Sequence, residues 1–326
     1  MKRREFITAL GGAAIWPLAA RAEQARKIAR IGYLAPIAGP DPPIEQAFTE
    51  TLQQLGWVEG QNITIEYRYS GGRQDTVASR VEEIVGLGVD VIVAWGPPLS
   101  LAAKRAAPQI PLVFLIVFDP VDLGLVSNIP RPGGNVTGIT GLASPEIFGK
   151  RLQLLKEVLP SLSRVAVLAS TEQTRSARDN DGLKAAAKAL GLELDDIEVD
   201  APSALEAAVS RAKKRGAQAV YAWPSGFTFS LTKQISEAAR ANNLPSMHSF
   251  RNGALDGGLL AYAADLKEQV RRGAAYVDKI LRGMPPGNLP VEQMSKYELL
   301  INLKTAKALG LEVPRTLLAR ADQAIE

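Results

Sequence analysis

The chain has no cysteine and a single histidine, His248. The first absence excludes disulfide staples and lipid attachment through a thiol. Together they leave no ligand set for an ordinary protein zinc site, so no metal is expected. Nucleotide-binding signatures are missing too. Pro36-Ile37-Ala38-Gly39 stands after the first apolar strand, where a dinucleotide fingerprint would lie, and no Walker-type loop occurs. No Gly-x-Ser-x-Gly elbow is present, and any Ser-His-Asp relay would have to use His248, whose neighbours Pro245–Phe250 offer no obvious nucleophile. No catalytic residue and no cofactor is therefore assigned. Beyond residue 20 there is no apolar stretch long enough to span a bilayer.

Charge of one sign is also scarce. The formal excess of +4 resides largely in residues 1–22, without which 34 basic residues face 33 acidic ones. A near-neutral body gives no electrostatic case for nucleic acid or an anionic membrane. The first residues read as an export signal. Lys2-Arg3-Arg4 form a basic start, Phe6 to Ala20 a mostly apolar stretch, and Ala20-Arg21-Ala22 a small-x-small cleavage site. Arg3-Arg4-Glu5-Phe6-Ile7 resembles a twin-arginine signal, and the general secretory route stays open beside it. A periplasmic location is expected.

The rest of the chain says nearly the same thing twice. Arg30-Ile31-Gly32-Tyr33-Leu34-Ala35 returns as Arg164-Val165-Ala166-Val167-Leu168-Ala169, and Leu55-Gly56-Trp57 as Leu190-Gly191-Leu192. Ala94-Trp95-Gly96-Pro97 returns as Ala222-Trp223-Pro224-Ser225. Each copy alternates apolar strands with Ala/Leu-rich helices, which predicts two βαβαβ lobes with a central cleft at their strand ends. The expected division is an export segment at 1–22, a first lobe of 28–142 plus 262–288, and a second of 143–261 plus 289–326. Chain crossings between the lobes would make a multi-strand hinge.

Binding residues are sought where strands end. Gly96-Pro97-Pro98 and Pro224-Ser225-Gly226 each precede a helix, whose N-terminal N–H groups would suit a carboxylate. Ser170-Thr171 and Asp119 come from equivalent strand ends. Asp119 and Asp265 could hold an ammonium group, or could cap a helix or form a turn. Trp95, Trp223, Phe118, Phe227 and Tyr262 could supply a stacking wall or plain core.

Several separated stretches resemble one family. Leu55-Gly56-Trp57-Val58-Glu59-Gly60-Gln61-Asn62, Asp119-Pro120-Val121 and Arg131-Pro132-Gly133-Gly134-Asn135-Val136-Thr137-Gly138 are similar to the ABC transporter substrate-binding proteins of the tryptophan-binding-protein-like group. So are Lys296-Tyr297-Glu298-Leu299-Leu300-Ile301-Asn302-Leu303-Lys304-Thr305-Ala306 and Ala308-Leu309-Gly310-Leu311, and the likeness runs from about Arg30 to the C-terminus. The resemblance implies an α/β, type I periplasmic-binding-protein fold with two Rossmann-like lobes and a three-segment hinge. It implies a small-molecule ligand, an amino acid in characterised relatives, and an ABC permease as partner. A monomer would suit docking.

By the same resemblance, loops at Gly96–Ser100, Phe118–Pro120, Ser170–Gln173, Pro224–Phe227 and Tyr262–Asp265 should line the cleft. The candidate ligand residues are Pro36, Gly96, Pro97, Ser100, Phe118, Asp119, Pro120, Ser170, Thr171, Gln173, Pro224, Ser225, Phe227, Tyr262 and Asp265. Ala261-Tyr262-Ala263-Ala264-Asp265 departs from the family's usual Ser-Tyr-Gly, and His248-Ser249 from its Tyr-Pro. A sensing module for a membrane receptor and an extracytoplasmic α/β enzyme are the alternatives. A cytoplasmic repressor's sensor is disfavoured, because an export signal stands where a DNA-binding headpiece would be.

Overall fold

The computed structural model describes residues 28–141, 146–170, 177–199 and 201–326. The export segment read at 1–22, and the candidates Thr171 and Gln173, lie outside the described residues. In the first lobe the strands are β1 (Ala29–Ala35), β2 (Ile63–Tyr69), β3 (Val91–Trp95), β4 (Leu112–Val117) and β5 (Val136–Thr140). The second holds β6 (Arg164–Ser170), β7 (Glu193–Val199), β8 (Ala219–Ala222), β9 (Ser246–His248) and β10 (Leu260–Ala264). The short β11 (Glu292–Gln293) follows, then β12 (Tyr297–Asn302) and β13 (Gln323–Ile325).

These strands form two sheets, ordered β11-β5-β4-β3-β1-β2 and β13-β12-β10-β9-β8-β6-β7. The first is parallel throughout. The second has one antiparallel pair, β10 with β12. Parallel strands covered by helices on both faces must be apolar on both sides, and the sequence shows this alternation. Ile31, Tyr33, Val91, Val93, Trp95, Val113 and Leu115 face one core of the first lobe, while Leu34, Ile92, Ala94, Leu112 and Phe114 face the other. The second sheet repeats the plan, with Val165, Val167, Ala169 and Tyr221 on one side and Ala166, Leu168, Val220 and Ala222 on the other.

The duplicated Leu-Gly step is a helix stop in both lobes. Gly56 and Gly191 take φ of +92° and +64°, and the next residue's N–H returns to the helix, Trp57 to Leu52 and Leu192 to Ala187. A side chain there would strain the backbone, so glycine ends the helix and turns the chain toward the next strand.

The chain passes between lobes after β5, after β10 and after β11. The last two passages differ from the sequence boundaries. Tyr262 lies inside β10 of the second sheet, and the helix Leu266–Leu281 then covers the first sheet. Glu292–Gln293 pairs with β5, so the residues from 289 do not all join the second lobe. Two helices, Gly226–Ser230 and Thr232–Ala241, follow β8, and a short helix, Arg251–Leu255, follows β9.

Candidate functional site

A cavity lies at the carboxyl ends of the parallel strands of both sheets, where ligands of open α/β folds sit. It has room for the centres of water molecules over about 70 Å³. The first lobe contributes Pro36 after β1, Ser70, Gly72, Arg73, Gln74 and Val77 after β2, Trp95 through Leu99 after β3, and Phe118 and Leu123 after β4. The second contributes Ser170 at the end of β6 and Trp223 through Phe227 after β8. A smaller chamber of about 30 Å³ shares several of these residues and adds Ile116, Phe229 and Phe250.

Each wall has a local cause. Trp95 ends β3 and packs edge-on to Tyr33 at 5.9 Å, leaving the indole only 2% exposed. Its Nε1 has no hydrogen-bond partner. Trp223, the equivalent residue after β8, stacks on Phe148 at 4.8 Å and 12°. Phe118 follows an irregularity in β4, where Ile116 takes φ +56° and the register with β5 shifts between Leu115 and Val117. A β-branched residue rarely adopts that conformation. A Cβ on Gly141 would come within 2.7 Å of the Phe118 ring, so the glycine leaves that ring its place at the cleft.

Lobe-to-lobe contact is close. A Cβ on Gly226 would stand 2.5 Å from Pro36 Cβ, and one on Gly72 would stand 2.5 Å from Ser230 Oγ and 3.3 Å from Phe227 Cα. The two lobes therefore meet across the cavity through residues with no side chain.

Of the candidates, Pro36, Gly96, Pro97, Phe118, Ser170, Pro224, Ser225 and Phe227 line the cavity. Ser100 does not; it is buried and its hydroxyl donates to Ala94 O. Asp119 and Pro120 also stand outside the lining, and the Asp119 carboxylate accepts from Asp122 N at 3.1 Å. Tyr262 stacks on Tyr297 at 5.4 Å instead of facing the cavity wall. Asp265 is the N-cap of the helix Leu266–Leu281, accepting from Lys267 N at 2.9 Å and Glu268 N at 3.2 Å. Replacing Asp265 with Ala is expected to cost about 1 kcal/mol of stability through the lost cap and to leave ligand affinity unchanged. Chemical unfolding alongside calorimetry checks both halves.

The helix ends also differ from expectation. The helix Gly96–Ala106 opens with Pro97 and Pro98, which carry no N–H. At Gly226–Ser230 a capping box takes two donors: Thr228 N donates to Ser225 Oγ at 3.0 Å, and Ser225 N donates to Thr228 Oγ1 at 3.1 Å. The N–H groups of Gly226 and Phe227 lie outside that box. The loop Ser70-Gly71-Gly72-Arg73-Gln74 was not singled out from the sequence, although its paired glycines, both at positive φ, directly follow an alternating strand. That pairing is the turn signal that would have found it.

Residues 34–325 match a family model described as ABC transporter substrate binding protein. The tyrosine-binding protein of Clostridioides difficile (strain R20291) is 26% identical over 268 residues, covering 82% of this chain and 76% of that relative. Among solved structures, a conserved domain protein from Vibrio cholerae superposes with a TM-score of 0.84 at 26% identity, over 91% of this chain and all of the other. An ABC domain from Streptococcus pneumonia in complex with L-Trp gives 0.83 at 24% identity, over 91% and 99%.

Proposed function

We propose, from the premise that this chain belongs to the ABC transporter substrate-binding protein family, that it closes its two lobes on an amino-acid-sized ligand with an apolar or aromatic body and hands it to a membrane permease. The fold is that of the type I periplasmic binding proteins, and binding of a small ligand follows from the family. The capture takes place in the periplasm, the permease imports the cargo, and the protein works as a monomer without turning its ligand over. Among the described residues no helix is long and apolar enough to cross a membrane.

The observation that carries the reading is the cavity's position. Its walls come from the strand ends of both sheets, and three chain passages join the lobes beside it. A ligand held there touches both lobes at once, so its binding energy favours the closed arrangement over any open one. Trp95, Phe118, Trp223 and Phe227 give the apolar surface such a ligand needs, and Ser70, Gln74 and Ser170 the polar contacts. The tyrosine and tryptophan in the names of the relatives agree with a ligand of this size.

Thermal unfolding of residues 23–326 against amino acids, aromatic acids, sugars and small peptides tests the proposal. A solute at about a hundred times its dissociation constant adds roughly 2.7 kcal/mol and raises the midpoint by several degrees. No rise with any solute, in protein shown free of copurified ligand, overturns it.

A further inference from the structure

We infer that the cleft gauges the length of its ligand's apolar end, in the smaller chamber, whose end wall is the Phe229–Phe250 pair of the second lobe. The inference rests on the cleft being the ligand site, as proposed above.

The two spaces adjoin and share walls, Pro36, Trp95, Phe118 and Pro224 among them, but they differ in polarity. Ser70, Arg73, Gln74 and Ser170 line the main cavity and not the chamber. The chamber's described side chains are aliphatic or aromatic apart from Ser225, whose hydroxyl accepts from Thr228 N at 3.0 Å. A ligand with one polar and one apolar end is therefore seated apolar end inward, since apolar surface gains by leaving water for apolar walls. The chamber gives the centres of water molecules about 30 Å³, against about 70 Å³ in the main cavity. A ring belongs in the wider space, and the chamber takes what projects beyond it.

The far end of the chamber is built from both lobes. Ile116 is half-buried between Leu115 and Val117, both wholly buried, and its φ of +56° accompanies the register shift against β5. Such strain persists only where the surrounding structure enforces it, and it gathers at ligand clamps. Phe229 and Phe250 complete the wall, their rings edge to face at 4.8 Å and 86°. Both come from the second lobe, yet they pack into the first lobe's core with Tyr33, Trp95 and Leu115. The wall thus exists only when the lobes meet, and length is read in the act of closing. An end that fits is sealed in. One that is too long meets two rings and holds the lobes apart.

Three probes sharing one head test the inference by calorimetry: L-phenylalanine, 4-methyl-L-phenylalanine and 4-phenyl-L-phenylalanine, on the wild type and on Phe250→Ala. In the wild type the methyl compound is expected to bind about fourfold tighter than phenylalanine, the worth of one buried carbon. The phenyl compound should bind at least tenfold more weakly than phenylalanine, as overpacking requires. Phe250→Ala should cancel the methyl advantage and raise the affinity for the phenyl compound at least tenfold. Phe250→Leu, a milder change should the alanine variant fail to fold, should move the same two values in the same directions. Equal affinities for the three probes in the wild type overturn the inference. So does a variant that weakens all three by one factor, which is the mark of a purely structural role. If all three probes fail while another solute of the wider panel binds, the inference falls and the cleft remains a ligand site. If nothing in the panel binds, the proposed function falls with it.

Discussion

Gly226→Ala is expected to leave the ligand-free protein as stable as the wild type and to weaken ligand binding by about ten- to a hundred-fold. The new Cβ would stand 2.5 Å from Pro36 Cβ, closer than real side chains approach, and a tight 3.1 Å from Pro36 Cγ. Neither partner can step aside. Pro36 is a ring fixed to its own backbone, and Gly226 is the first residue of a helix. Overpacking of this kind costs about 1–3 kcal/mol, and each 1.4 kcal/mol is a factor of ten in affinity. The cost falls only on the closed arrangement, since the two residues belong to different lobes. Gly72→Ala would be a poorer probe, because φ +72° strains an alanine whatever the lobes do. X-ray scattering reads the result: saturating ligand should contract the wild type and leave Gly226→Ala extended. Equal contraction in both would show that this contact does not gate closure.

Acid should unfold the second lobe earlier than its carboxylates alone predict. His248 is fully buried, its Nε2 3.1 Å from Ser246 Oγ and 3.3 Å from Ser236 Oγ, and its Nδ1 has no partner. Gly253 and Gly258 pack so closely on the ring that a Cβ at either would stand 2.1 or 2.5 Å from it. Burial pushes the imidazole down from 6.5 to about 4. The folded state thus holds a neutral ring while the unfolded chain takes up a proton near pH 6.5, so stability rises with pH across that window. The contribution is complete above pH 6.5, drains away as the pH falls toward 4, and totals roughly 3 kcal/mol for a depression of this size. Urea unfolding at pH 7 and pH 4.5 measures it, with His248→Gln as the comparison that removes the titrating group and keeps the hydrogen-bonding capacity. An equal pH dependence in the two proteins would refute the assignment.

The internal duplication was legible because each copy buries the same kind of strand. β1 and β6 carry similar apolar runs, and Trp95 ends one central strand while Trp223 directly follows another. Strand ends in a parallel sheet all point one way, so Pro36, Gly96, Phe118, Ser170 and Pro224 converge once the strands are known. What escaped depends on distant partners. Tyr297–Asn302 is a strand because β10 pairs with it antiparallel, and nothing within the segment announces that partner. Glu292–Gln293 is too short to carry a period, and its place beside β5 is set by packing alone. Asp119 and Asp265 have the chemistry of an ammonium site, but short acidic residues at chain turns find backbone N–H groups nearby and spend their oxygens there. Arg73 was overlooked for the opposite reason: an exposed arginine in a loop has no pattern, and only the fold brings it to a cleft.

The helix Leu266–Leu281 has a bearing on synthesis as well as on architecture. It closes the core that β1 began, packing against the helix Pro42–Gln54, with Trp57 Nε1 donating to Asp278 at 2.8 Å and Arg282 Nη2 donating to Leu55 O at 2.8 Å. The second sheet is likewise finished by β12 and β13. Neither half can bury its apolar faces from its own contiguous stretch of chain, so a nascent polypeptide leaves the first lobe open until residues 266–281 are made and the second until 297–325 are. Such delay lengthens the time during which the chain is both threadable and exposed to aggregation, and places a premium on whatever escort receives it.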